Sequence, residues 1–517
     1  MNPAARRRPP LFLALALALL GAATLTGCSG AADPAATPAE LKPFYTQQLK
    51  WKHCGDLECA RLTVPRDYSH PENGKTFVLP VAKAATADRG RRIGSLVYNP
   101  GGPGAGGVDD ITSDGGASFG AKVRARFDIV SFDPRGVGGS KPAVKCAEEA
   151  KEGEDSAAEP LYPRTTDDRA RTLAAARATA AACAKDSGGI LRQVGTEDAA
   201  RDMDVLRAAL GDSKLTYLGW SYGTSLGTSY AELFPRRVRA LALDGAVDPS
   251  LGWQERAVSQ AVGFRRAVDD YAEYCADVAG DSCPGRTPDE ISELIDGLYE
   301  QAASEPLPAD GDEYGVDART LLDVVTAAMY TPEDEWEGLS EALSDADRGD
   351  GTKLAALASA DEPTTTDTHH RRTRGADTDN SDAAIVAVSC LDTPHPRSAR
   401  PYWNALAPAD KAAGVYGTTS VTDELTCEDW PTDTQHPHKT HKVHAPGVPP
   451  VLVIGTTGDP ATPYEEAESL ADQFPGGMLL TYEGLGHTAY GRSNACVTKA
   501  VDAYLTDLKP VRPDATC

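Results

Sequence analysis

Six short apolar runs punctuate the chain, and each ends in a turn signal. Ile93–Asn99 runs into a GGPG turn, Phe127–Phe132 into DPRGVGGS, and Leu215–Trp220 into Ser221. Val238–Leu243 runs into DGAVDP, Val451–Gly455 into TTGDPATP, and Met478–Tyr482 into EGLGH. The runs are rich in Val, Ile, Leu and Tyr and mostly do not alternate, which is how parallel strands covered on both faces read. Leu62–Val64 and Phe77–Val81 are expected to add two antiparallel strands in front. Helical patterning lies between several strands. In Thr196–Leu210, Thr196 is the expected N-cap, Asp198 sits in the first turn, Met203, Leu206 and Leu210 recur at helical spacing, and Gly211 follows as a stop. This alternation predicts an α/β fold with a mostly parallel, doubly wound sheet. In such sheets the chemistry sits beyond the carboxyl ends of the strands.

The long stretch between Asp248 and Val451 breaks the alternation. Helical patterns recur near 253–279, 288–303 and 316–330, and the polar segment 361–383 reads as a loop. A large, mainly helical cap insertion over 249–448 is therefore expected, with the sheet built from 45–248 and 449–517.

The N-terminus adds a targeting pattern. Arg6, Arg7 and Arg8 precede the apolar run 11–20, which is too short for a stable membrane span. Leu25-Thr26-Gly27-Cys28 then resembles a bacterial lipobox, which implies a signal peptide over 1–27, lipidation at Cys28 and a small, polar tether to residue 44. The expected location is extracytoplasmic, lipid-anchored to the cell membrane or released to the medium. Of the 11 cysteines, removing Cys28 leaves ten, an even number that suits five disulfides in an exported protein. Sequence does not determine connectivity. Short spacings suggest Cys54–Cys59 and Cys275–Cys283, and the remaining pairs are expected to be Cys146–Cys183, Cys390–Cys427 and Cys496–Cys517. The net charge of -25, spread along the chain, suits a solvated surface and argues against nucleic-acid binding. A monomer is expected.

Candidate chemistry falls at the strand ends. The pattern G-x-S-x-G occurs around Ser118, Ser221 and Ser225, so it selects nothing alone. A nucleophile elbow needs a strand directly before the serine and a helix directly after it. Ser118 follows a polar run and Ser225 lies one turn into the next helix, which leaves Ser221. A serine hydroxyl needs a base, and the base an orienting acid. His487, after Met478–Tyr482, is the candidate base, and Asp459, after Val451–Gly455, the candidate acid, with Asp244 and Asp248 as its rivals. Oxyanion donors are expected from the amides of Tyr222 and Gly102; Pro103 has no N–H to offer. His436, His438, His441 and His444 read as a solvated loop rather than a metal site. No metal or cofactor is called for.

Asn99–Gly104 (NPGGPG) looks like the HGGPG loop of the prolyl aminopeptidase group, with Pro100 where that group carries His. Phe132–Ser140 looks like its DxRGxGxS segment, and GWSYG, GDPATP and GLGH complete the set in order. With the lipoprotein-like start and long insertion, the chain most resembles the secreted tripeptidyl aminopeptidases of actinobacteria. The resemblance implies an α/β-hydrolase that cleaves short peptides from a free N-terminus through an acyl-enzyme, without a cofactor. Asp133 and Arg135 are expected to structure the loop as a charge pair below the site. An aminopeptidase also needs a carboxylate for the substrate ammonium. Glu333, Asp334, Glu335 and Asp392 are candidates, and none is assigned. An esterase or lipase on the same residues remains the alternative, followed by a non-catalytic binding protein. An Asp-nucleophile hydrolase is disfavoured by the serine at the elbow.

Overall fold

A computed structural model of the chain describes residues 38–146, 160–361, 380–431, 440–513 and 515–517. Cys28, the signal segment, most of the tether and of 361–383, His436 and His438 lie outside the described residues.

The strands form where the apolar runs fall. In chain order they are β1 (Lys52–Cys54), β2 (Leu57–Pro65), β3 (Thr76–Ala84), β4 (Gly94–Asn99), β5 (Phe127–Phe132), β6 (Leu215–Trp220) and β7 (Val238–Asp244). A small hairpin, β8 (Leu307–Ala309) and β9 (Asp312–Val316), precedes β10 (Leu452–Gly458), β11 (Met478–Leu485) and β12 (Ala515–Thr516). Among the described residues, ten of these make one sheet in the order β1-β2-β3-β5-β4-β6-β7-β10-β11-β12. The β1–β2, β2–β3 and β3–β5 pairs are antiparallel, and every pair from β5–β4 onward is parallel. All six residues of β4 and of β5 are buried, because helices cover both faces. The α/β class and the mostly parallel sheet are therefore as expected.

The insertion has a core of its own. Helices Trp253–Tyr274, Pro288–Ser304, Ala318–Ala328 and Pro332–Asp347 bury Tyr271, Ile295, Tyr299, Leu321, Val325 and Leu339 against one another. The helix Ser381–Asp392 behaves differently: its Ala387, Cys390 and Leu391 join the core under the sheet. That helix takes in residues 381–383, at the end of the segment read as a loop. The five expected cysteine pairs are the disulfides present among the described residues.

Two charged junctions fasten the sheet to its surroundings. Arg135, in the turn after β5, is fully buried. It does not pair with Asp133, as the sequence suggested. Its Nε and Nη2 grip both oxygens of Asp202 at 2.7 and 2.6 Å, and its remaining N–H groups donate to the carbonyls of Pro65, Arg66 and Gln193. All five guanidinium donors thus have acceptors, which is what makes so buried a cation tolerable. Asp133 instead accepts the amides of Val108 and Gly139, both at 2.9 Å, pinning the start of the helix Gly107–Asp114. At the other junction, Glu466 on the helix Tyr464–Gln473 accepts the amide of Asp248 and the hydroxyl of Ser259. It ties the exit of β7 and the first insertion helix to the sheet. Burial pushes its carboxyl from an ordinary 4.5 up to about 7.

Arg135→Met leaves Asp202 buried without its counter-charge. Chemical unfolding is expected to show a loss of about 3–5 kcal/mol, part of it recovered by adding Asp202→Asn; a loss below about 1 kcal/mol would contradict this account. For Glu466 the folded state holds its proton more tightly than the unfolded chain. The stability this contributes is present below an ordinary glutamate value and is lost as pH rises through about 7. Glu466→Gln should therefore melt above the wild type at mildly alkaline pH and lose that advantage near pH 4. An advantage unchanged across this range would refute the assignment.

Candidate active site

Ser221 occupies the turn between β6 and the helix Tyr222–Leu233, with φ 55° and ψ −124°. A non-glycine residue at positive φ is strained, and here the strain lifts the side chain off the strand end. Its amide donates to the carbonyl of Asp244 at 2.9 Å, and its carbonyl accepts the amide of Thr224 at 2.8 Å. The flanking glycines are required by contact. A Cβ at Gly219 would lie 2.3 Å from the Gly223 carbonyl oxygen, and one at Gly223 would lie 2.7 Å from that of Asn99. Ser225 falls inside the helix, and the Ser118 hydroxyl is taken by Asp114.

Asp459 and His487 sit in the loops after β10 and β11. His487 Nδ1 lies 2.8 and 3.0 Å from the two oxygens of Asp459. The same carboxylate, fully buried, accepts the amides of Ala461, Thr462 and Thr488 at 2.8–3.0 Å. These donors satisfy an otherwise costly buried charge and fix the plane of the imidazole. The opposite ring nitrogen, Nε2, is buried with no hydrogen-bond partner among the described residues. The ring rests against the end of β7, whose Asp244 carbonyl accepts the Ser221 amide: a Cβ at Gly245 would lie 3.2 Å from His487 Cε1. Of the rival acids, Asp244 accepts the amides of Ala489 and Tyr490, and burial pushes it up to about 6. Asp248 takes the side chains of Ser469 and Gln473. Neither is hydrogen-bonded to His487.

The loop after β4 packs directly on the elbow. Gly101 and Gly102 have φ of 115° and 102°, and a Cβ at Gly101 would lie 2.9 Å from Ser221 Cβ. Gly102, Ser221 and Tyr222 line one cavity of about 570 Å³. The Tyr222 amide opens a helix, where amides have no partner within the helix. Its hydroxyl lies 2.5 Å from Thr196 Oγ1. Thr196 is not the N-cap expected; Gly195 holds that position, and Asp392 takes both the amide and the hydroxyl of Thr196.

The other acids proposed for an ammonium lie elsewhere. Glu333 pairs with Arg492 at 2.8 Å, and Asp334 and Glu335 are exposed. The cavity wall carries seven carboxylates, at Glu197, Glu232, Asp248, Asp392, Asp423, Glu424 and Glu466, against Arg256 and His441. They come from segments far apart in sequence, so no local pattern could have found them. Sequence reasoning also missed two braces on the His487 loop. The Tyr330 carbonyl, from the insertion, accepts the His487 amide at 2.9 Å. Arg492 donates to the carbonyls of Leu485, His487 and Thr488 while pairing with Glu333. His395, Glu424 and Cys427 cluster as possible metal donors, but the Cys427 sulfur is bonded to Cys390. His441 lies 3.0 Å from Glu232 rather than in a histidine cluster among the described residues.

The family model for the alpha/beta hydrolase fold matches residues 94–281, and that for TAP-like proteins matches 413–517. The chain is 36% identical over 512 residues to the serine protease Hip1 of Mycobacterium tuberculosis, covering 95% of this chain and 94% of that one. It is 34% identical over 487 residues to the tripeptidyl aminopeptidase of Streptomyces lividans, covering 91% and 86%. It is also 34% identical over 533 residues to carboxylesterase B of Mycobacterium tuberculosis, covering 97% of each. The chain thus belongs to the TAP-like family of serine hydrolases with the alpha/beta hydrolase fold.

Proposed function

We propose that the protein is a serine exopeptidase that releases short peptides, tripeptides foremost, from free N-termini. Ser221 is the nucleophile, His487 the base and Asp459 its orienting acid. His487 Nε2 takes the proton as the Ser221 oxygen attacks the scissile carbonyl. The amides of Gly102 and Tyr222 hold the oxyanion. His487 then passes its proton to the departing amine, and water, activated by the same nitrogen, releases the acyl group. No cofactor enters this sequence. The observation that carries the reading is the imidazole of His487. One nitrogen is locked by Asp459, and the other is buried and has no partner among the described residues, so it is available to take a proton.

The acidic cavity wall supports a substrate with a cationic end, as a free N-terminus provides. The relative named as a tripeptidyl aminopeptidase supports the same substrate class. The relative named carboxylesterase B favours the second reading, an esterase on the same residues. We further propose export and lipid anchoring through Cys28, with the enzyme acting as a monomer outside the cytoplasm. The N-terminal pattern and the five disulfides support export.

Kinetics on matched substrates separate the two readings. Free-amine tripeptide anilides should be cleaved with kcat/KM at least about 100-fold above their N-acetylated counterparts, because acetylation removes the charge that the wall attracts. Equal or better cleavage of the acetylated peptides, or of simple esters alone, would favour the esterase.

A further inference from the structure

Every carboxylate on the cavity wall is already engaged by the protein. Asp392 holds Thr196, Asp248 holds Ser469 and Gln473, and Glu466 holds Ser259. Glu232 meets His441, Glu424 meets His395 at 2.5 Å, Asp423 pairs with Arg319, and Glu197 pairs with Arg201. Arg256 is different. It lines the same cavity as Ser221, half-buried, yet its guanidinium makes no hydrogen bond and no ion pair with any described residue. Glu424 and Glu466 feel its charge, but both are bound elsewhere.

Its position is fixed. Arg256 sits in the first turn of the helix Trp253–Tyr274, and Ala257 and Gln260 of that helix line the cavity with it. Gln260, four residues on and hence on the same face, donates to the Ala461 carbonyl at 3.0 Å, in the loop that carries Asp459. An arginine stays charged at any working pH, and its fork of donors matches a carboxylate. The surrounding acids repel anions in general, so a substrate carboxylate can settle here only by pairing with this guanidinium.

We infer that Arg256 is a recognition site for a carboxylate of the substrate, beside the acidic wall that suits its ammonium. This rests on the peptidase reading above. The carboxylate has two possible sources: an acidic side chain in the released peptide, or the free C-terminus of a short substrate.

Three pairs of substrates test it, each run on the wild type, Arg256→Met and Arg256→Lys. The first compares free-amine tripeptide anilides with Glu or Gln at each acyl position. The second compares short peptides with free or amidated C-termini. The third compares the p-nitrophenyl esters of succinic acid and of its monomethyl ester. In the wild type, the carboxylate member of at least one pair should lead in kcat/KM by about tenfold or more, the scale of a charge-assisted pair. Arg256→Met should bring that ratio to within about twofold of unity, and Arg256→Lys should retain part of it. The peptide pair that responds identifies the source. Fluorophosphonate labelling of Ser221 verifies that each variant keeps a formed site; if Arg256→Met does not label, Arg256→Lys carries the comparison. Wild-type ratios near unity in all three pairs, or ratios untouched by the substitutions, would overturn the inference. Discrimination between the esters without peptide cleavage would sink the peptidase reading and leave the carboxylate site standing. Peptide cleavage without discrimination would do the reverse.

Discussion

The site depends on one close approach of backbones at the end of β6. Ser221 is held at a positive φ that costs about 1–3 kcal/mol for a residue with a side chain. The hydrogen bond to Asp244 and the bare backbones of Gly219, Gly223 and Gly101 make that conformation attainable. A side chain at any of these glycines would meet neighbouring atoms at under 3 Å. Given this turn, the helix Tyr222–Leu233 starts with the Tyr222 amide next to the serine, and the loop after β4 packs on Ser221 itself. The candidate oxyanion donors and the positions of Asp459 and His487 follow from where the strands β4, β6, β10 and β11 end.

The insertion does more than cover this arrangement. Through Tyr330 and Glu333 it braces the loop that carries His487. Through Asp392 it holds Thr196, and Thr196 in turn meets the hydroxyl of Tyr222. The candidate base and the candidate oxyanion residue are therefore both fastened to elements outside the sheet. The cavity that Ser221 and Tyr222 line is acidic overall, with Arg256 as its one cation unengaged among the described residues.

Much of this was legible in the sequence because fully buried parallel strands leave continuous apolar runs. Phe127–Phe132 and Leu215–Trp220 are strands with the bounds their patterns suggested. Context, not motif, singled out Ser221 as the candidate nucleophile, and place after later strands singled out Asp459 and His487, which the fold hydrogen-bonds to each other. What was illegible shares a physical cause: it depends on partners distant in sequence. Arg135 and Asp133 are neighbours in the chain, yet Arg135 pairs with Asp202, 67 residues away. Thr196 has the chemistry of an N-cap, but Asp392 claims its hydroxyl. The helix Thr166–Ser187 is rich in alanine and lacks a broad apolar stripe, so its periodicity says little. Strands β1 and β12, of three and two residues, are too short to leave a pattern.

The central claim is that chemistry passes through the Ser221 oxygen. Acid quench during turnover of a free-amine tripeptide ester, followed by intact-mass measurement and peptide mapping, tests it most directly. The account predicts a tripeptidyl adduct on the peptide containing Ser221, absent from Ser221→Ala. An adduct on Ser118 or Ser225, or one that persists in Ser221→Ala, would contradict it.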